Sequence, residues 1–252
     1  MDHPDHTNHP DHTSHIDRAD TKTPRRVSRA TGAAGLVFLV LVFLSQNPPF
    51  YTGAGNGTVL HWVQAHPTAL YVEGARTAYM MILMVGFLAA LVWRIGLRGP
   101  VRSGVWALLG ASLAIDMVWS GVYYAVAYAG RHDIGDSGVL ALAYLTEQLT
   151  FTDGLLWGIA VFVICVAGLR GRSLPAPIAW LGIVTGVVKL AGPAVQVALS
   201  HTSEGLTGPL GTVLLVFWML AASLTLLIRP GNPRAAVEEE QTRQDASANP
   251  TR

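Results

Sequence analysis

Cysteine is nearly absent: Cys165 stands alone in 252 residues. An intrachain disulfide and a Cys-x-x-Cys pair are therefore excluded, and cysteine usage reveals no redox compartment. Charge is scarce too, at 13% of residues, where an ordinary soluble domain carries about a quarter. The net charge of +1 gives no basic field for nucleic acid, and membrane topology explains the loop arginines. The sequence has no Gly-rich phosphate loop, no Gly-x-Ser-x-Gly and no His-Glu-x-x-His. No polar stretch is long enough to hold a nucleotide. With no catalytic constellation, the chain does not read as an enzyme, and no cofactor is expected.

What it has instead is long apolar runs, 51% of its residues being hydrophobic. A helix crosses a bilayer core with about 20 apolar residues. Six stretches approach that length: Ala30–Asn47, Thr77–Trp93, Val101–Tyr128, Thr152–Leu169, Pro177–Leu199 and Gly208–Ile228. Pro48 and Pro49 close the first, since proline cannot continue a helix. The apolar stretch from Gly138 to Leu169 is too long for one perpendicular span, so Gly138–Leu149 reads as an interfacial or extended outer segment. The polar stretch before Ala30 is too long for an ordinary signal-peptide n-region and precedes no clear cleavage site, so the first run reads as a retained anchor.

Basic residues set the orientation. The N-terminal tail holds Arg18, Lys22, Arg25, Arg26 and Arg29. The second inter-span loop holds Arg94, Arg98 and Arg102, the fourth Arg170 and Arg172, and the C-terminal tail Arg229, Arg234, Arg243 and Arg252. With six spans, these 14 of 17 basic residues fall on one side. Five or seven spans would break the sorting. The fold class is therefore all-α, a polytopic transmembrane bundle of six spans in the cell membrane with both termini cytoplasmic. Residues 30–229 form the bundle. Residues 1–29 and 230–252 read as unstructured tails, too polar to offset chain entropy by burial.

The N-terminal tail repeats Asp2-His3-Pro4-Asp5-His6-Thr7 as Asn8-His9-Pro10-Asp11-His12-Thr13, and His15 continues the period. His3, His6, His9, His12 and His15 thus recur every three residues. A polyproline II helix, with three residues per turn, would align all five on one edge. Imidazole suits Ni, Cu and Zn, so weak binding of these metals is one reading. A solvated low-complexity tail with no metal role is the other.

Two ionisable residues fall inside spans, Asp116 in the third and Lys189 in the fifth. An ionised side chain at a helix centre costs about 2.5–3.5 kcal/mol on insertion scales, so such residues turn inward and pair. Ser112, Asp116, Trp119, Ser120 and Tyr123 share one helical face, as do Gly182, Thr185, Gly186, Lys189, Gly192 and Gln196. Gly154 with Gly158, and Gly182 with Gly186, have the small-xxx-small spacing that brings helices together. The same faces offer a route to a homo-oligomer. Pro193 deprives the Lys189 carbonyl of its helical partner and is expected to kink the helix. Glu147, Asp153, Glu73, Arg76, Tyr124 and Tyr128 lie toward the outer ends. Together these residues suggest a polar pocket opening outward, with Asp116 and Lys189 at its floor.

The ligand or ion candidates are therefore Asp116, Lys189, Tyr123, Ser120, Thr185, Gln196, Glu147 and Asp153. An ion pair that only fixes helix register is the alternative, and would suit an accessory or interaction protein whose partners bind its tails. Glu73 and Arg76, an i, i+3 pair, read as an interfacial anchor of small energetic weight. His61, His66, His132 and His201 show no ligand spacing. A buried lysine with an aspartate on another helix suggests a retinal protein, but in those seven-span bundles the lysine lies on the last helix. The two halves show no internal repeat, which weighs against an inverted-repeat transporter.

The last third carries Leu174-Pro175, Trp180-Leu181-Gly182-Ile183, Gly186, Gly208-Pro209-Leu210 and Trp218 before Arg229-Pro230. In these residues the chain is similar to a family of bacterial six-span membrane proteins known only as a domain of unknown function. The resemblance implies fold and location and supplies no activity or catalytic residue. The His-rich tail and the Asp116–Lys189 pair depart from it.

Overall fold

A computed structural model describes residues 22–45, 48–49, 54–132, 135–199 and 207–228, with side chains described from residue 26 and not between 193 and 209. Both tails, with the exception of the stretch from Lys22, lie outside the described residues. These contain seven helices and no strand: α1 Lys22–Phe43, α2 Asn56–Ala65, α3 Pro67–Ile95, α4 Gly99–Arg131, α5 Asp136–Arg170, α6 Ala176–Leu199 and α7 Thr207–Ile228. Five of them, α1, α3, α4, α5 and α7, are long and apolar enough to cross a membrane, as suits a multi-pass membrane protein. The described apolar part of α6 runs from Ala176 to Gly192.

Helices α1, α3, α4 and α5 outrun the apolar stretches. α1 starts at Lys22, eight residues before the expected span, and α3 begins at Pro67 rather than Thr77. Hydropathy marks where lipid ends, but a helix satisfies its own backbone and continues into polar surroundings. Gly138–Leu149 is accordingly the first part of α5, an unbroken helix of 35 residues spanning about 52 Å at 1.5 Å per residue. α2 lies between the first two apolar stretches, where no helix was expected. Its break from α3 falls at His66–Pro67, where proline opens a helix well but restricts the residue before it. Val59 and Val63 of α2 are fully buried, and a Cβ on Gly130 of α4 would stand 2.7 Å from Val63. Tyr144 of α5 donates to Asn56 at 2.7 Å. The short helix thus packs over the overhanging ends of α4 and α5.

The six long helices form a closed ring in the order α1, α3, α4, α5, α6, α7, with α7 returning to α1. Glycines set the closest seams. Gly158 and Gly186 face each other between α5 and α6, and a Cβ on Gly186 would lie 2.8 Å from the Gly158 carbonyl. Gly35 of α1 leaves no room for a Cβ against Ser223 of α7 and Phe87 of α3. Across that gap Phe87 meets Trp218 edge to face, centroids 6.0 Å apart, and both rings are fully buried.

Polar contacts lock both ends. At the end carrying the α3–α4 and α5–α6 connections, Arg94 donates to Ser28 (2.8 Å), and Ser28 donates to the Leu226 carbonyl in the last turn of α7 (3.2 Å). Toward the other end, the Glu73–Arg76 pair differs from the interfacial anchor of small energetic weight that was expected. Glu73 is 1% exposed and pairs with Arg76. Arg76 also donates to the Leu41 carbonyl (2.8 Å) and to Ser45 (3.2 Å), while Ser45 donates to Glu73 (3.0 Å). Leu41 sits in the last turn of α1, whose carbonyls lack helical partners. The pair is buried because α1 ends against it.

Exposed aromatics ring the bundle at two levels. Trp93, Trp106 and Trp180 lie toward the Arg94 end, and Tyr124 and Tyr128 toward the other. Trp and Tyr favour membrane–water interfaces. Trp106 and Tyr128 are 22 positions apart on α4, about 33 Å at 1.5 Å per residue, close to a bilayer core of roughly 30 Å.

Candidate functional site

Counted from the Arg94 end, Asp116 lies 17 positions after Gly99, Asp153 17 before Arg170, and Thr212 16 before Ile228. At 1.5 Å per residue all three stand about 25 Å along the bundle. The Lys189 Cα, 13 positions after Ala176, stands about 20 Å along. The charged groups of α4, α5 and α6 therefore form one layer. Asp153, expected near the outer end of its span, belongs to it, because α5 continues far beyond the apolar stretch used to place that end.

Asp116 is 0% exposed and Asp153 4%. The two carboxyl groups lie directly beside each other. Ser112, one turn before Asp116, donates its hydroxyl to Asp153, and the Trp157 N–H stands next to the same carboxyl. Neither Asp116 oxygen accepts a hydrogen bond among the described residues, although the Ser112 hydroxyl that donates to Asp153 stands beside Asp116 as well. The expected Asp116–Lys189 pair is thus a chain of three: Asp153 lies between, facing Asp116 on one side and Lys189 on the other.

Small residues make room for the lysine. Its stem passes Gly154 and Gly158 of α5 and Gly211 of α7, where added Cβ atoms would stand 3.9, 3.0 and 3.2 Å from it. The ammonium donates to Thr212 at 3.4 Å. Lys189 is partly exposed, whereas the two aspartates are sealed. The spacing of Gly154 and Gly158 was legible as a packing signal. Their second role, clearing a passage for Lys189, was not, because it depends on which helix stands opposite. Gly211 and Thr212 carried no signal at all.

The remaining candidates divide. Ser120 is buried and donates to the Gly74 carbonyl of α3 at 2.7 Å, which ties α4 to α3. Buried Tyr123 tilts against Trp119, centroids 6.1 Å apart. Thr185 is buried and donates back to Leu181 of its own helix at 2.8 Å. Glu147 is half-buried on α5, six residues before Asp153. The side chain of Gln196 lies outside the described residues, as do His3, His6, His9, His12, His15 and His201. His61, His66 and His132 are exposed; His66 stacks on Trp62 and His132 on Tyr128. Among the described residues no three His, Cys, Asp or Glu gather as a metal site.

This arrangement makes a double-mutant cycle informative. Asp153→Asn and Lys189→Met should couple by about 1 kcal/mol in unfolding measurements, since interacting charges are non-additive. Asp116→Asn with Lys189→Met should couple less, because Asp153 separates them. Equal coupling would mean that the lysine reaches both carboxyl groups.

No protein-family model matches the chain, and no curated protein or solved structure matches it.

Proposed function

We propose that this is a six-span membrane protein, both tails cytoplasmic, that binds, senses or moves an ion or small molecule at the Asp116–Asp153–Lys189 layer. For the topology, α6 has 24 residues, or about 36 Å of helix, enough to cross. The loop arginines Arg94, Arg98, Arg102, Arg170 and Arg172 also share one end of the bundle with the start of α1 and the end of α7.

For the site, one observation carries the reading: a buried acidic pair without donors for Asp116 lies beside a partly exposed lysine. Ionisable groups inside a membrane are costly and mark ligand, ion or proton pathways. A register-fixing ion pair would be complete in itself, whereas here the second carboxyl group is left over.

The chain has only two lysines, Lys22 and Lys189, so labelling can test this. In a Lys22→Arg protein held in nanodiscs, a small water-soluble amine reagent is expected to modify Lys189, read by peptide mass mapping. Sodium, potassium, ammonium and acetate are then screened for slowing the reaction several-fold. Failure of the reagent to reach Lys189 in folded protein would reject the site reading and favour a structural role in an accessory protein.

A further inference from the structure

We infer that Asp116 and Asp153 hold one proton between them, with Lys189 as the fixed counter-charge, so that the layer binds and releases a single proton. The inference deepens the site reading above and rests on it.

The starting point is a carboxyl group sealed from solvent whose two oxygens find no donor. A buried polar group in that position is costly unless a hydrogen bond reaches it. Ser112 stands beside both carboxyl groups, and its single hydroxyl proton goes to Asp153. Arg76 is committed to Glu73, Ser45 and Leu41 where α1 ends. What lies beside Asp116 is another carboxyl group. Two carboxyl groups in contact become mutually satisfied when one carries a proton and donates it to the other. Such O–H···O⁻ bonds are short and strong, and paired carboxylic acids elsewhere share a proton in this way.

Charge counting gives the stoichiometry. Two carboxylates and one ammonium sum to one negative charge, and one proton brings the layer to neutrality. Nothing else charged faces it closely: α1 and α7 bring no ionisable side chain among the described residues at this depth, and α3 brings only the committed Glu73–Arg76 pair. The other acids on α5 are Glu147, six residues outward, and Asp136 in its first turn. Binding forms one carboxyl O–H bond with a proton taken from water. Release breaks it, returns the proton to water and leaves the layer with its single negative charge.

A metal cation fits less well. Calcium takes six or more oxygen ligands, and this site offers two carboxyl groups and one hydroxyl already engaged. The Trp157 N–H beside Asp153 adds a positive edge that a bound cation would have to meet.

Infrared spectroscopy of the full chain in nanodiscs tests the proposal through the carbonyl stretch of a protonated carboxyl group. At neutral pH the wild type should show this band, shifted in heavy water. Asp116→Asn should abolish it, because Asp153 is then left as the ionised partner of Lys189. Lys189→Met should roughly double it, since both acids then need protons, and Glu147→Gln should leave it unchanged. No band in the wild type, or a band that survives Asp116→Asn, would overturn the proposal. So would loss of the band on adding sodium or potassium at constant pH, which would make an alkali cation the ligand. If Asp116→Asn does not fold, the wild type and Lys189→Met still decide. A labelled Lys189 without the band would reject the shared proton and leave the site standing; an unlabelled Lys189 would reject the site itself.

Discussion

Gly186→Ala should destabilise the bundle by about 1–3 kcal/mol, the usual cost of overpacking. Helix propensity alone predicts the reverse, since alanine is favoured over glycine by about 1 kcal/mol. Geometry decides the sign. A Cβ on Gly186 would stand 2.8 Å from the Gly158 carbonyl and 3.0 Å from the Phe162 nitrogen. Both are backbone atoms of α5 and cannot rotate away. α5 and α6 would have to separate, and the passage for Lys189 would widen with them. Gly121→Ala is the control: nothing lies within 4 Å of a Cβ there, so it should be neutral or stabilising by up to about 1 kcal/mol. Unfolding in mixed micelles, read by helical circular dichroism, separates the two. Equal behaviour would show that the α5–α6 seam is softer than its spacing implies.

Arg76→Ala should cost about 3–5 kcal/mol, the range for removing one member of a buried ion pair. The loss strands Glu73, which is 1% exposed, and frees the Leu41 carbonyl at the end of α1. Glu73→Gln placed on top should recover part of the loss, because the stranded charge disappears. Arg131→Ala should change stability by less than about 1 kcal/mol, as exposed pairs and contacts do. Arg131 lies on the surface with its guanidinium over Tyr71, 5.3 Å from the ring centroid. An Arg76 variant as stable as the Arg131 variant would mean that water reaches Glu73.

These two cases also mark what the sequence could convey. The pairs Gly154/Gly158 and Gly182/Gly186 were readable because small residues four apart form a local pattern with one physical use. Asp116 and Lys189 were readable because charge within an apolar run is expensive wherever the partner stands. Asp153 was seen but misplaced. Its depth depends on where α5 begins, and a helix end in polar surroundings leaves no hydropathy mark. The Glu73 network was invisible because its other members, Ser45 and Leu41, lie 28 and 32 residues away and meet it only once α1 ends beside α3. Helix α2 was missed because ten residues with a glycine N-cap and no side-chain cap give neither the length nor the start signal that identifies a helix. The burial of its Val63 makes sense only against Gly130.

The seam between α1 and α7 has a consequence for biosynthesis. α1 leaves the ribosome before the other five long helices and finds its second neighbour only when α7 is made. Until then the ring is an open arc, and Gly32 and Gly35 face lipid rather than Ser223 and Leu227. The same adjacency makes the start of the chain a matter of convenience. With Ser28 bonded to Leu226, a short linker joining the two ends would leave every helix contact in place, and a new opening cut between α3 and α4 should still give a closed ring.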